Sequence, residues 1–129
     1  MIWADVRYFR VFEFDSPDAR GSGVNMNDAF ILKLDKLRDA VKIPLVIRSG
    51  YRTEEHNARV GGVDSSAHTS GHAADIAALS SSTKFKIMEA AMRLGFRRLG
   101  IGATFIHIDD DITKSQDVCW LYPATEKRG

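Results

Sequence analysis

The 129-residue chain is 44% hydrophobic and 27% charged, which suits one compact domain around a single core. Its 18 basic and 17 acidic residues leave a formal charge of +1, so nothing global marks it as a binder of nucleic acid or anionic membrane. No run approaches the roughly 20 apolar residues of a membrane span, the start Met1-Ile2-Trp3-Ala4-Asp5-Val6-Arg7 lacks a signal peptide's basic and then apolar layout, and the single cysteine, Cys119, rules out an internal disulfide.

Residues 1–24 begin with aromatics at Trp3, Tyr8, Phe9, Phe12 and Phe14 and turn polar and glycine-rich from Asp15 to Gly23. This reads as an aromatic arm packed on the domain, followed by an exposed loop. Asn25 or Asn27 caps a helix over 27–41, in which Phe30, Ile31, Leu34, Leu37 and Val41 recur at near-helical spacing. Pro44 stops it, and a short buried strand at 44–48 leads into Ser49-Gly50-Tyr51-Arg52. Thr53, with Glu55 or His56, opens a short helix that ends near Gly61-Gly62. A strand over 72–78 has a period of two that sends Ala74 and Ile76 to one face and Asp75, between small Ala73 and Ala77, to the other.

Ser81 or Ser82 caps a second helix over 83–94 bearing Phe85, Met88, Ala91, Met92 and Leu94, with Gly95 as its stop. A hairpin of strands 98–102 and 105–109 follows, with Ile106 and Ile108 facing the core and His107 and Asp109 facing a cleft. Cys119, between Val118 and Trp120, is expected to be packed and unreactive. Residues 110–129 form a C-terminal tail, frayed from Thr125. The whole of 1–129 is read as one domain.

The residues that carry chemistry are concentrated in Ser66-Ala67-His68-Thr69-Ser70-Gly71-His72-Ala73-Ala74-Asp75 and in Phe105-Ile106-His107-Ile108-Asp109. Two imidazoles and a carboxylate hold zinc while leaving a coordination position open, and His68, Asp75 and His107 meet that need. His68 and Asp75 are too far apart for one helical turn, so the chain has to fold back at Ser70-Gly71. Arg52, at a strand end, is placed to reach an anion. Ser66 is a candidate to hydrogen-bond the His68 loop and Tyr51 to line the cleft. His72 is a further candidate inside the run, while Asp110 and Asp111 read as a solvated acidic turn.

The pattern Ser-x-His-x-x-Gly-x-Ala-x-Asp, preceded by Ser49-Gly50-Tyr51-Arg52 and followed by the strand histidine of Phe105-Ile106-His107-Ile108-Asp109, resembles peptidase family M15. That family holds the zinc D-Ala-D-Ala carboxypeptidases and endolysin-type peptidases, and the chain is most similar to the carboxypeptidase branch. The resemblance runs from about Tyr8 to about Asp109. It implies a small α+β domain of Hedgehog/DD-peptidase type, a mainly antiparallel sheet with helices on one side and zinc on the other.

By the same resemblance His68, Asp75 and His107 are the Zn2+ ligands, and Arg52 binds a substrate carboxylate or polarises the scissile carbonyl. Many relatives place an acid three residues before the last histidine, where this chain has Thr104. Asp109 is therefore the first candidate for general base, with the alternative of fixing a ligand imidazole's tautomer left open.

The implied activity is hydrolysis of peptidoglycan stem or cross-link peptides, as carboxypeptidase or endopeptidase, by a monomer without nucleic-acid or membrane partners. The alternative is a metal-containing binding module of the same fold that has lost turnover. A magnesium nuclease is disfavoured, since there is neither a basic stripe nor a carboxylate cluster. The expected setting is synthesis in the cytoplasm and action at the cell wall after release, in a phage-type lytic enzyme or a phage structural protein.

Overall fold

The computed structural model describes residues 2–124, so the fraying expected at 125–129 lies outside the described residues. Helix α1 (Asp28–Val41) starts where the Asn27 side chain accepts the Phe30 N–H at 3.0 Å, which makes Asn27 the cap. Phe30, Ile31, Leu34 and Leu37 are its fully buried stripe, and the helix ends at Lys42 in a left-handed conformation, φ 59°. Strand β1 (Ile47–Ser49) begins later than the expected 44–48: Pro44 has no N–H to give a ladder, and pairing with the next strand starts only at Ile47, opposite Ile76. Helix α2 (Glu54–Arg59) is capped by Thr53, which accepts the His56 N–H.

Strand β2 (Ala73–Ala77) is followed by helix α3 (Ser81–Arg93). Its cap is Ser80, accepting the Thr83 N–H, one residue ahead of the serines expected. Strands β3 (Arg98–Ile101) and β4 (Phe105–Asp109) form the expected hairpin. A further strand, β5 (Val118–Leu121), lies within what reads from sequence as a tail. The sheet order is β1-β2-β4-β3-β5, antiparallel throughout except for the parallel β3/β5 pair, so the domain is α+β with a small, mostly antiparallel sheet.

One sheet face, carrying Ala74, Ile76, Leu99, Ile106 and Ile108, packs against α1 and α3 in a single apolar cluster. Each fully buried aliphatic or aromatic side chain of this kind contributes about 1.5–3 kcal/mol, so the sheet is a stiff base for whatever its other face carries. On α3 the buried residues are Ile87, Ala90 and Ala91, whereas Phe85 and Met92 are 70% and 56% exposed. The small residues face inward because α3 packs on both α1 and β4.

Cys119 is also exposed, contrary to expectation: it lies on edge strand β5, paired with Leu99. The aromatic arm packs as expected through Phe9 and Phe14, whose rings meet edge to face, although Phe12 stays exposed. The loop at 15–24 is better ordered than its composition suggests, since Asp15 accepts the N–H groups of Gly21 and Gly23 and both Ser16 and Gly23 are buried.

Candidate metal centre

Sheet register assembles the centre. Asp75 on β2 pairs with His107 on β4, His107 with Gly100 on β3, and Gly100 with Trp120 on β5, a single row across four strands on the face opposite the core. The row two residues along holds Ala73, Asp109, Arg98 and Val118. A Cβ on Gly100 would lie 2.7 Å from Trp120 Nε1 and 2.6 Å from the Tyr122 ring, so glycine here lets two aromatics lie against the sheet next to His107.

His68 comes from the turn before β2. Gly71, at φ 78°, supplies the left-handed residue the fold-back requires, and the His72 N–H closes the turn on the Ala67 carbonyl at 2.9 Å. The Ser66 hydroxyl accepts the His68 N–H at 3.2 Å, as the sequence suggests. His68 Nδ1 lies 2.8 Å from the Gly50 carbonyl, which only accepts, so Nδ1 carries the proton and Nε2 a lone pair. That Nε2 is buried and has no hydrogen-bond partner. Burial pushes the His68 pKa down to about 4, so the ring is neutral at pH 7 and its lone pair is available.

Asp75 Oδ1 is 3.4 Å from His68 Nε2 and 2.8 Å from His107 Nδ1. Burial works to raise its pKa, but His68 and His107 outweigh this and hold the carboxyl well below the usual range. For His107 too, burial opposes the charged form, and the carboxylates of Asp109 and Asp75 prevail and raise it. His107 Nε2 is 2.7 Å from Asp109 Oδ2, while Asp109 Oδ1 accepts from Arg98 Nε at 2.7 Å and the Asp111 N–H at 3.1 Å. Both Asp109 oxygens are thus engaged, one of them in orienting the His107 ring so that Nδ1 faces Asp75.

One ligand atom from each of His68, Asp75 and His107 lies within 4.8 Å of the others, and all three residues are buried. Zinc bonds of about 2.0–2.1 Å set tetrahedral ligand atoms roughly 3.3 Å apart, close to the His68–Asp75 spacing. With the unpartnered Nε2 and a nitrogen, nitrogen and oxygen donor set, the residues fit a zinc ion.

The match to the peptidase M15 family model covers residues 12–109. The chain belongs to the peptidase M15 family. No curated protein matches it. Membership in M15 carries hydrolase chemistry of the metallopeptidase kind, and the buried cluster is where this M15 domain would hold its metal.

Arg52 departs from its expected place. It is fully buried, with Nε on Ser49 Oγ at 3.1 Å, Nη1 on Asn57 Oδ1 at 3.1 Å and Nη2 3.4 Å from Asp75 Oδ2. It braces the Asp75 carboxylate through its second oxygen and does not line the 380 Å³ cavity in front of His107. Tyr51 packs against the apolar cluster and is also absent from that wall. His72 points elsewhere, pairing with Asp110 at 2.7 Å beside a different cavity, so Asp110 has a partner where the sequence suggested only a solvated turn. Thr104 accepts from Arg48 on the surface.

Sequence reasoning did not single out Arg98, Lys114, Trp120 or Tyr122. Only Arg98 carried a signal: the hairpin register places it opposite Asp109.

Proposed function

We propose that this M15 domain is a zinc-dependent peptidase that hydrolyses peptide bonds in peptidoglycan stem or cross-link peptides. The observation that carries the reading is the buried His68 Nε2, an unpartnered lone pair aimed at Asp75 and His107 in a protein of a peptidase family. Zinc in such a site lowers the pKa of bound water toward about 7 and polarises a carbonyl. Asp75 and the two imidazoles keep the site's net charge low. Arg52 holds Asp75 in place through the second carboxylate oxygen.

Asp109 is the one carboxylate among the described residues of the cavity wall, so it is the group to accept the proton of the attacking water and return it to the leaving amine. To do so it has to loosen a bond to His107 or Arg98. That engagement favours the second reading, a metal-containing binding module without turnover, since the Thr104 hydroxyl cannot take up the water's proton as a carboxylate at that position would. Incubating the purified protein with isolated peptidoglycan and assaying new amino groups, with and without a chelator, separates the two. Chelator-sensitive release supports the peptidase; its absence, with peptide binding retained, supports the module. Free D-Ala among the products would identify a carboxypeptidase, and peptide fragments an endopeptidase.

A further inference from the structure

We propose that Arg98, with Lys114 beside it, forms an anion subsite on the wall of the His107 cavity that holds a carboxylate group of the substrate peptide. The inference rests on the peptidase reading for its substrate and goes beyond it by moving the substrate-binding cation from Arg52 to Arg98. Arg52 is enclosed by Ser49, Asn57 and Asp75 and would have to leave all three to meet a ligand. The cations that do line the 380 Å³ cavity, together with His107 and Asp109, are Arg98 and Lys114.

Arg98 is set in advance for this task. Its Nε is fixed by Asp109 Oδ1 and its Nη1 by the Ser115 carbonyl, each at 2.7 Å. The guanidinium lies over the Trp120 ring, 4.9 Å from its centroid, and the side chain is only 12% exposed. Nη2 makes no hydrogen bond to the described residues. A planar fork already held on one edge loses little further freedom when it takes a carboxylate on another.

Lys114 Nζ is anchored to the Ser65 carbonyl at 2.6 Å and lies 3.3 Å from Asp111 Oδ2, which stations a second positive charge on the same wall. Asp109 and Asp111 partly offset Arg98 and Lys114, and a metal held by His68, Asp75 and His107 would add positive charge beside them that an incoming carboxylate would relieve. Gly61, where a Cβ would meet nothing within 4 Å, and the small Ala67 leave room for peptide backbone on the wall, while Trp120 and Tyr122 offer an apolar surface for a small side chain. Lys114, Trp120 and Tyr122 lie beyond the segment matched by the family model, so family membership assigns them no role.

The test compares a stem pentapeptide ending in D-Ala-D-Ala with the same peptide carrying amidated carboxyl groups. Each is titrated into the zinc-loaded protein while the Trp120 indole N–H resonance is followed, and turnover is measured in parallel. The free-acid peptide is expected to shift that resonance and to bind roughly tenfold tighter than the amide, the scale of one charge-assisted hydrogen bond. Arg98→Gln should abolish the preference, Arg98→Lys should restore part of it, and Lys114→Gln should reduce it. Equal affinity for the two peptides, no binding of either, or a preference intact in Arg98→Gln overturns the subsite. A clear preference without chelator-sensitive cleavage supports the subsite and counts against the peptidase reading instead.

Discussion

Replacing Arg52 by methionine tests the structural logic of the centre without touching any of the proposed ligands. The guanidinium is completely buried and bonds to Ser49, Asn57 and Asp75, so the substitution keeps much of the volume and removes the charge and three donors at once. Breaking a buried ion pair by deleting one partner costs about 3–5 kcal/mol, because the remaining charge stays desolvated. The orphaned Asn57 acceptor adds to this, although its Nδ2 keeps the Val63 carbonyl at 2.7 Å.

Zinc would offset part of the loss, since a cation facing Asp75 takes over some of the guanidinium's role. Urea denaturation followed by circular dichroism should therefore show Arg52→Met less stable by about 3–5 kcal/mol without metal and by a smaller margin with zinc in excess. Arg52→Lys should fall between wild type and Arg52→Met, because one compact ammonium nitrogen cannot reach three acceptors that Arg52 meets with three separate nitrogens. If zinc-free Arg52→Met unfolds within about 1 kcal/mol of the wild type, the network is not the brace described and the reasoning fails.

Asp109→Asn should abolish peptidoglycan cleavage while zinc still binds, with affinity lowered roughly 10- to 100-fold through the weakened hold on His107; unchanged turnover in this variant would remove Asp109 from the chemistry. Gly50→Ala would place a Cβ 2.7 Å from Phe14 Cδ1 and 2.8 Å from Phe14 Cα. Overpacking of that kind costs about 1–3 kcal/mol, and it displaces the carbonyl that fixes His68, so both the melting temperature and zinc affinity should drop together.

Asp18 accepts from Ser16, Thr53 and Arg59 and has its pKa lowered from 3.8 to about 2, chiefly by the Ser16 and Thr53 hydroxyls. A depressed carboxyl stabilises the fold above its ordinary value, and that contribution is lost as pH falls from 3.8 toward 2. A carbon-detected NMR titration of Asp18 should give a midpoint near the lower value; a midpoint near the ordinary one would mean the loop is not tied to Thr53.

Much of the centre was legible because β geometry is periodic. Alternation along 72–78 and 105–109 put Asp75 and His107 on one face, and bringing His68 back to Asp75 across their spacing requires the Gly71 turn. The lower-contrast parts were those in which tertiary packing overrides local pattern. On α3 Phe85 and Met92 face solvent while Ile87 and two alanines make the close contact, a choice set by packing against α1 and β4. Strand β5 pairs parallel at the sheet edge and alternates only between partly buried and exposed positions, which leaves little trace in its composition. It is also the strand that brings Trp120 to the cavity, so missing it concealed the wall on which Arg98 lies.

Arg52 shows the opposite problem. Its neighbourhood in sequence suggested a cation reaching outward, and only the burial of Asp75 and Asn57 around it turns the guanidinium inward.

The central claim, a single zinc site built from His68, Asp75 and His107, is tested most directly by metal analysis of the purified protein alongside His68→Ala. The account predicts one equivalent of zinc per chain in the wild type and none retained by the folded variant. Stoichiometric zinc in His68→Ala, or a wild type that takes up no zinc when it is supplied, would contradict it.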